Sequence, residues 1–283
     1  MRFTKLHALG NDFLVVGRDE AAEFPDPGAF ARRINDRHTG VGADGLILLG
    51  PEAGRADRFV FRIFNLDGSE AELSGNGLRC AAAFLAREGR LASAKVHFET
   101  AAGGRECEIV SSRGAVYDIR TGLGAPRLEA ADIPFDDGGP RGRVMDYPLV
   151  IAGEVFPVTC LSVGNPHCGL FFDSFPSRLE WHRIGGEIES HPFFPKRTNV
   201  EFIRVLGRGD IEVKFWERGV GETLASGTGS AAAAAASMVK GLVYRKVTVR
   251  TDLGSLAVEW PEGGELLQTG PAEVVFSGDY PAA

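Results

Sequence analysis

The 283-residue sequence contains no C-x-x-C pair, no H-x-x-x-H pair, no run of Lys or Arg, and no apolar stretch long enough to cross a bilayer. Each absence removes a class of protein. The four cysteines, Cys80, Cys107, Cys160 and Cys168, follow no regular spacing. That excludes a secreted disulfide framework and a thioredoxin-like motif, and predicts reduced thiols in a cytoplasmic protein. Six histidines without paired spacing predict no metal site. With a formal net charge of −7 and no interleaving of basic and aromatic residues, the chain would repel phosphate backbones, so nucleic acid is not an expected partner. The most apolar run, "SAAAAAASMV" (230–239), falls well short of the roughly 20 residues of a spanning helix. The leading "MRFTKLHALGNDFLVVG" lacks the continuous apolar core of a signal peptide, and no membrane association is expected.

What the sequence does hold is 37 glycines in a chain 44% hydrophobic and 24% charged. That composition suits a soluble chain with many tight turns and room for two domains. Alternating or β-branched and aromatic segments predict strands over 58–65, 94–100, 115–121, 199–206, 210–217, 246–251 and 255–260. Helices are fewer. "DPGAFARRINDR" (26–37) opens with an Asp cap and a Pro, and "LRCAAAFLAREG" and "SAAAAAASMVKG" each stop at a glycine. The Gly-, Pro- and charge-rich segment 124–143 reads as a linker region or a long loop.

The chain also looks internally duplicated. At a shift of 152, Ser74-Gly75-x-Gly77 falls on Ser226-Gly227-x-Gly229, Glu70 on Glu222, and "RIFN" (62–65) on "KFWE" (214–217). At a shift of 154, "LGND" (9–12) falls on "VGNP" (163–166). One S-G-x-G match means little in a Gly-rich chain, but several at nearly one offset predict two similar domains, each a strand-rich layer around one helix.

A helix N-terminus offers unpaired N–H groups and a partial positive charge, and glycines let a ligand approach the backbone. Each S-G-x-G turn is therefore a potential anion cradle. Two such domains facing each other would aim both cradles at one small carboxylate, with Ser74 and Ser226 on opposite sides. That suits inversion at a carbon with an acidic proton, with a base on one face, an acid on the other, and helix dipoles stabilising the developing charge. A plain glycine turn entering a core helix explains one copy equally well, but explains two copies at a matched offset poorly.

In combination and in order, "FTKLHALGNDFLVV" (3–16), "RHTGVGADGLILL" (37–49), "FNLDGSEAELSGNGLRC" (64–80), "VGNPHCGLF" (163–171), "FPKRTNVEF" (194–202), "WERGVGETLASGTG" (216–229) and "LQTGPAEVVFSG" (267–278) resemble the diaminopimelate epimerase family over nearly the whole chain. The resemblance implies an α+β fold of two pseudo-symmetric domains, each a barrel-like mixed or antiparallel sheet around a central helix. Residues 1–120 with 272–283 would carry the first S-G-x-G helix and 121–271 the second. It implies a cytoplasmic homodimer of lysine and cell-wall biosynthesis. That enzyme interconverts LL- and meso-diaminopimelate, a small amino-dicarboxylate, by two-sided α-proton transfer without metal or pyridoxal cofactor. The site would lie in a cleft between the domains that closes to keep water from a carbanion-like transition state.

Residue by residue, the resemblance implies that Gly75-Asn76 and Gly227-Thr228 bind the carboxylate at the reacting carbon, with Asn11 and Asn165 near that end. It places Asn65, Asn199, Glu217 and Arg218 on the distal amino-acid end, and His167 and Glu217 in support of the two acid/base positions. Arg218 can fork onto a carboxylate and Glu217 can pair with an ammonium, although a solvated surface pair is the other reading of these two.

The family's two catalytic cysteines correspond here to Ser74 and Ser226. A thiol titrates at about 8.5 and lower at a helix N-terminus, whereas an unactivated hydroxyl titrates far higher, close to bulk water. At about 1.36 kcal/mol per pKa unit, an alkoxide base costs on the order of 10 kcal/mol more, of which helix dipoles recover about 1–2. A serine needs a partner base, and His167 alone does not easily serve both faces. Cys80 and Cys168 read as core packing rather than replacements. Three readings stand open: a double Cys→Ser variant of a working epimerase, a natural homologue using serine for another isomerisation or an elimination, and a non-catalytic amino-acid-binding protein. Asn65, Asn199, Glu217 and Arg218 are intact, so ligand recognition is retained under all three.

Overall fold

The computed structural model describes residues 1–17, 25–52 and 54–281. The chain divides into two compact units, Met1–Gly122 with Thr269–Ala283, and Leu123–Gln268.

In the first unit, β1 (Arg2–Ala8) and β2 (Asn11–Gly17) form an antiparallel hairpin. Leu9 and Gly10 between them have φ of 50° and 78°, the positive pair of a type I′ turn whose twist matches its strands. β3 (Gly45–Glu52) runs parallel to β2 and antiparallel to β4 (Arg55–Asn65), which also takes the short β5 (Glu70–Ala71). β6 (Lys95–Thr100) lies parallel to β4, and β7 (Gly103–Arg113) and β8 (Val116–Gly122) follow antiparallel. The last strand, β17 (Leu267–Asp279), pairs with both β8 and β1 and closes a ring of eight strands. Closure leaves no free edge in that ring.

Two helices cover the two faces of this sheet. α2 (Gly75–Arg87) fills the ring, packing Leu78, Ala81, Ala82 and Leu85 against Phe13, Val15, Ile47 and Leu49. α1 (Pro27–Asn35), capped by Asp26, packs Phe30, Ala31 and Ile34 on Leu14, Val16, Leu46 and Leu48 outside. Side chains alternate between faces along a strand. Because both faces are covered, "FLVV" and "LILL" are apolar without alternation.

The second unit repeats the plan. β9 (Tyr147–Ile151), β10 (Glu154–Ser162) and β11 (Pro166–Phe171) run antiparallel in turn. β12 (Asn199–Gly207) is parallel to β11 and antiparallel to β13 (Asp210–Glu217), and β13 carries the short β14 (Gly221–Thr223). β15 (Lys246–Thr251) is parallel to β13 and pairs with β16 (Gly254–Glu259). α4 (Gly227–Val239) contacts β10 to β13, β15 and β16. It is apolar all round because it is buried all round, and alanines let the sheet close on it. Ser230 and Ser237 hydroxyls donate back to the carbonyls of Ser226 and Ala233. α3 (Arg178–Glu189) covers the other face with Trp181, Ile184 and Ile188. Segment 124–143 is mostly irregular, with a 3-10 turn at Ala130–Asp132 and isolated bridges from Arg127 to Ser162 and from Glu129 to Arg143.

The duplication extends to register. Phe13 faces Gly45 and His167 faces Asn199, both at the shift of 154. Ile63 faces Ala71 and Phe215 faces Thr223, both at 152. Position for position, Phe13 therefore corresponds to His167, Ile47 to Glu201, and Asn65 to Glu217. Each unit is a mixed sheet wrapped on a central helix, the α+β architecture expected from the sequence.

The second glycine of the Ser226 turn is required by contact. A Cβ on Gly229 would lie 2.8 Å from Phe215 Cδ1 and 3.0 Å from Ser226 Oγ. Gly229→Ala should lower unfolding free energy by about 1–3 kcal/mol, the usual cost of overpacking, read as a lower urea midpoint with unchanged slope; an unchanged midpoint would show that the sheet around α4 has room to move.

Candidate active site

Both signature serines are helix N-caps. Ser74 has φ −142° and ψ 118°, and its Oγ accepts from Gly77 N at 3.0 Å. Ser226 has φ −135° and ψ 129°, and its Oγ accepts from Gly229 N at 3.2 Å. With the oxygen accepting a helix amide, each hydroxyl proton remains available to a third group. Ser226, Gly75 and Gly227 are buried, Ser74 and Thr228 partly so.

In the first unit a polar chain fixes the turn after Ser74. Asn76 is buried and donates through Nδ2 to Asn11 Oδ1 at 3.0 Å, while its Oδ1 accepts from the Arg79 guanidinium. Asn11 donates to Asp44 Oδ2 at 2.9 Å, and Arg37 bridges Asp44 and Asp12 at 2.9 and 2.7 Å. Lys5 adds a pair to Asp12 at 2.9 Å. Burial raises the Asp12 carboxyl, but Arg37 and Lys5 outweigh it and hold the group below the usual carboxylate range. Burial brings the Arg79 guanidinium down to about 10, so it stays cationic at neutral pH, one turn into α2. Asn65 stands apart from this chain: it is exposed at the end of β4, donating to Ser69 Oγ at 3.0 Å.

In the second unit the chain is titratable. His167 is buried, with Nε2 2.9 Å from Asn165 Oδ1 and Nδ1 2.6 Å from Glu201 Oε1. The imidazole thus bridges Asn165 and Glu201. Burial pushes the Glu201 carboxyl up against the opposing pull of His167. Glu217 accepts from Thr223 Oγ1 at 2.7 Å. Burial pushes its carboxyl up, opposed by hydrogen bonds from Thr223 and Ser226 and by the charge of His167. Asn199 accepts from Arg218 N at 3.0 Å and donates to Pro166 O at 2.9 Å, and exposed Arg218 donates to Lys196 O at 3.0 Å. Ser226 thus neighbours a carboxyl, whereas the corresponding positions in the first unit are Asn65, Phe13 and Ile47.

The family model described as Diaminopimelate epimerase matches residues 3–128 and 159–275. The chain belongs to the diaminopimelate epimerase family. It is 47% identical over 283 residues to the diaminopimelate epimerase of Pelotomaculum thermopropionicum, with 99% of each chain covered. It is 45% identical to that of Desulforudis audaxviator, again with 99% of each covered. A hydroxyproline epimerase from Agrobacterium vitis, solved with trans-4-hydroxy-L-proline, shares the fold at TM-score 0.68 and 17% identity, covering 98% of this chain and 91% of that one. Membership of the diaminopimelate epimerase family makes this chain an isomerase of the amino-acid epimerase class. Among the described residues no helix is long and apolar enough to cross a membrane, and no group of three or more His, Cys, Asp or Glu could hold a metal ion.

Within this family framework, Asn11 and Asn76 come together in the first unit, and Asn165 with His167, Asn199 with Arg218, and Glu217 with Ser226 in the second. Cys80 and Cys168 are buried thiols that burial pushes up, Cys80 to about 12; neither supplies a thiolate. Sequence reasoning did not single out Glu201, Asp44 or Arg79, which bind the named residues directly. Arg79 had one available signal, a charge inside an otherwise apolar helix stretch.

A carboxyl whose pKa rises on folding binds more protons folded than unfolded, so its contribution to stability falls as pH climbs above its ordinary 4.5. Glu217→Gln should therefore gain stability relative to the parent as pH rises from 4.5 towards 8, measured by urea unfolding. A pH-independent difference would show that Glu217 titrates normally.

Proposed function

We propose that this chain binds diaminopimelate at the positions of the family's site, and that serine at both acid/base positions leaves interconversion of the LL and meso forms strongly reduced or absent. Ser74 and Ser226 would address the two faces of the reacting α-carbon. The Gly75-Asn76 and Gly227-Thr228 turns would take its carboxylate, with Asn11 and Asn165 close by. Asn65, Asn199, Glu217 and Arg218 would hold the distal amino and carboxylate groups, and His167 would support Ser226 with Glu217. The reaction class needs no cofactor, and a homodimer acting in cytoplasmic lysine biosynthesis is the setting proposed for it.

The observation that carries this reading is the state of the two serines. Each is a helix cap whose hydroxyl oxygen is engaged with its own helix amide, and each is aliphatic-hydroxyl chemistry where a thiolate is needed. The difference of about 10 kcal/mol in forming the base, less the dipole contribution, corresponds to roughly six orders of magnitude in rate. Glu217 beside Ser226 favours a second reading, exchange of the α-proton from one face only, since the first unit has Asn65 at the matching position.

Ser74→Cys combined with Ser226→Cys should switch on epimerisation of LL-diaminopimelate, followed by polarimetry or chiral chromatography. A folded double variant with no activity on diaminopimelate would overturn the substrate assignment. Full activity in the unaltered chain would overturn the claim about the serines.

A further inference from the structure

We infer that Glu189 is a positioning residue for the turn that carries Glu217 and Arg218; this rests on the proposal that those two residues hold the distal end of the ligand. Glu189 is the last residue of α3, where the helix dipole disfavours a carboxylate. It is nevertheless buried, at 5% exposure. A buried acid against the local rule needs a compensating set of donors, and Glu189 has one. Its Oε1 accepts from Gly219 N at 2.6 Å and pairs with Arg197 at 2.7 Å, and its Oε2 accepts from Trp216 Nε1 at 2.8 Å.

The donors bracket the turn. Trp216 precedes Glu217, and Gly219 follows Arg218. Gly219 N goes to Glu189 while the preceding amide, Arg218 N, goes to Asn199. Two consecutive backbone N–H groups are thus held by two side chains from different elements. Arg197, the third donor, has φ of 58°, a left-handed conformation unfavourable for a residue with a Cβ, and it sits beside Lys196, whose carbonyl receives Arg218. One carboxylate therefore ties together the segment under the Arg218 guanidinium and the turn that bears it. Beside the turn lies a hollow of about 400 Å³ lined by Glu189, Arg197, Trp216 and Val220, into which an untethered turn could relax. A fixed turn leaves Arg218 less conformational freedom to lose on binding a carboxylate.

The test uses Glu189→Gln in the full chain, with Arg197→Ala as a second variant that changes a half-exposed partner and leaves the carboxylate in place. Amide hydrogen exchange resolved by NMR should speed up tenfold or more at Arg218 and Gly219 in E189Q, less in R197A, with the α3 interior around Ile184 unchanged. Calorimetric affinity for diaminopimelate should fall at least tenfold in E189Q. Unchanged exchange at Gly219, or acceleration spread evenly through α3, would overturn the role. Faster turn exchange with unchanged diaminopimelate affinity would also overturn it. If the parent chain itself binds no diaminopimelate, the ligand proposal fails, and the exchange arm alone still decides whether Glu189 holds the turn.

Discussion

The constraint on which both units depend is the entry of an apolar helix into a sheet at a Ser-Gly-x-Gly turn. A buried helix N-terminus has N–H groups with no intrahelical partner, and leaving them unsatisfied is costly. Ser74 and Ser226 each satisfy one through a capping oxygen. The remaining amides leave a partial positive charge at the helix start. The glycines at 77 and 229 allow the helix start to lie against strand residues, Ile63 and Phe61 in one unit and Phe215 in the other. Serine and cysteine are near-isosteric, so the device folds with either. Folding and proton transfer therefore make separable demands on these two positions.

The repeated scaffold supports unequal chemistry. Register identifies Phe13 with His167 and Ile47 with Glu201. In the first unit those positions belong to the hydrophobic core around α2; in the second they form a buried acid–imidazole pair. The first unit braces the turn after Ser74 with an amide and ion-pair chain from Asn76 through Asn11 to Asp44, Arg37 and Asp12. The second places Glu217, and beside it His167, next to the Ser226 cap.

Much of this could be read from the sequence because it follows from local rules. The glycine stops of α2 and α4, the Asp26 cap of α1 and the alternation of β13 and β15 all lie where pattern places them. The duplication was visible because its offset is nearly constant. α3 was not legible: Gly185 and Gly186 interrupt its pattern, yet Gly185 is there because a Cβ would come within 2.8 Å of Trp216. The partners Glu201, Asp44 and Glu189 were also hidden. In "NVEFIRV" an inward Glu looks like any polar residue on a half-solvated strand. Only pairing with His167 across β11 and β12 reveals it as buried. Tertiary contacts decide such positions, and they leave no local trace.

Recognition without inversion is the centre of this account, and one measurement addresses it directly. Proton NMR of LL-diaminopimelate in deuterated water with the unaltered chain reports both properties at once. The account predicts broadened ligand resonances, from binding, with an α-proton integral that stays constant over many hours. Loss of that integral at an enzymatic turnover rate would contradict it.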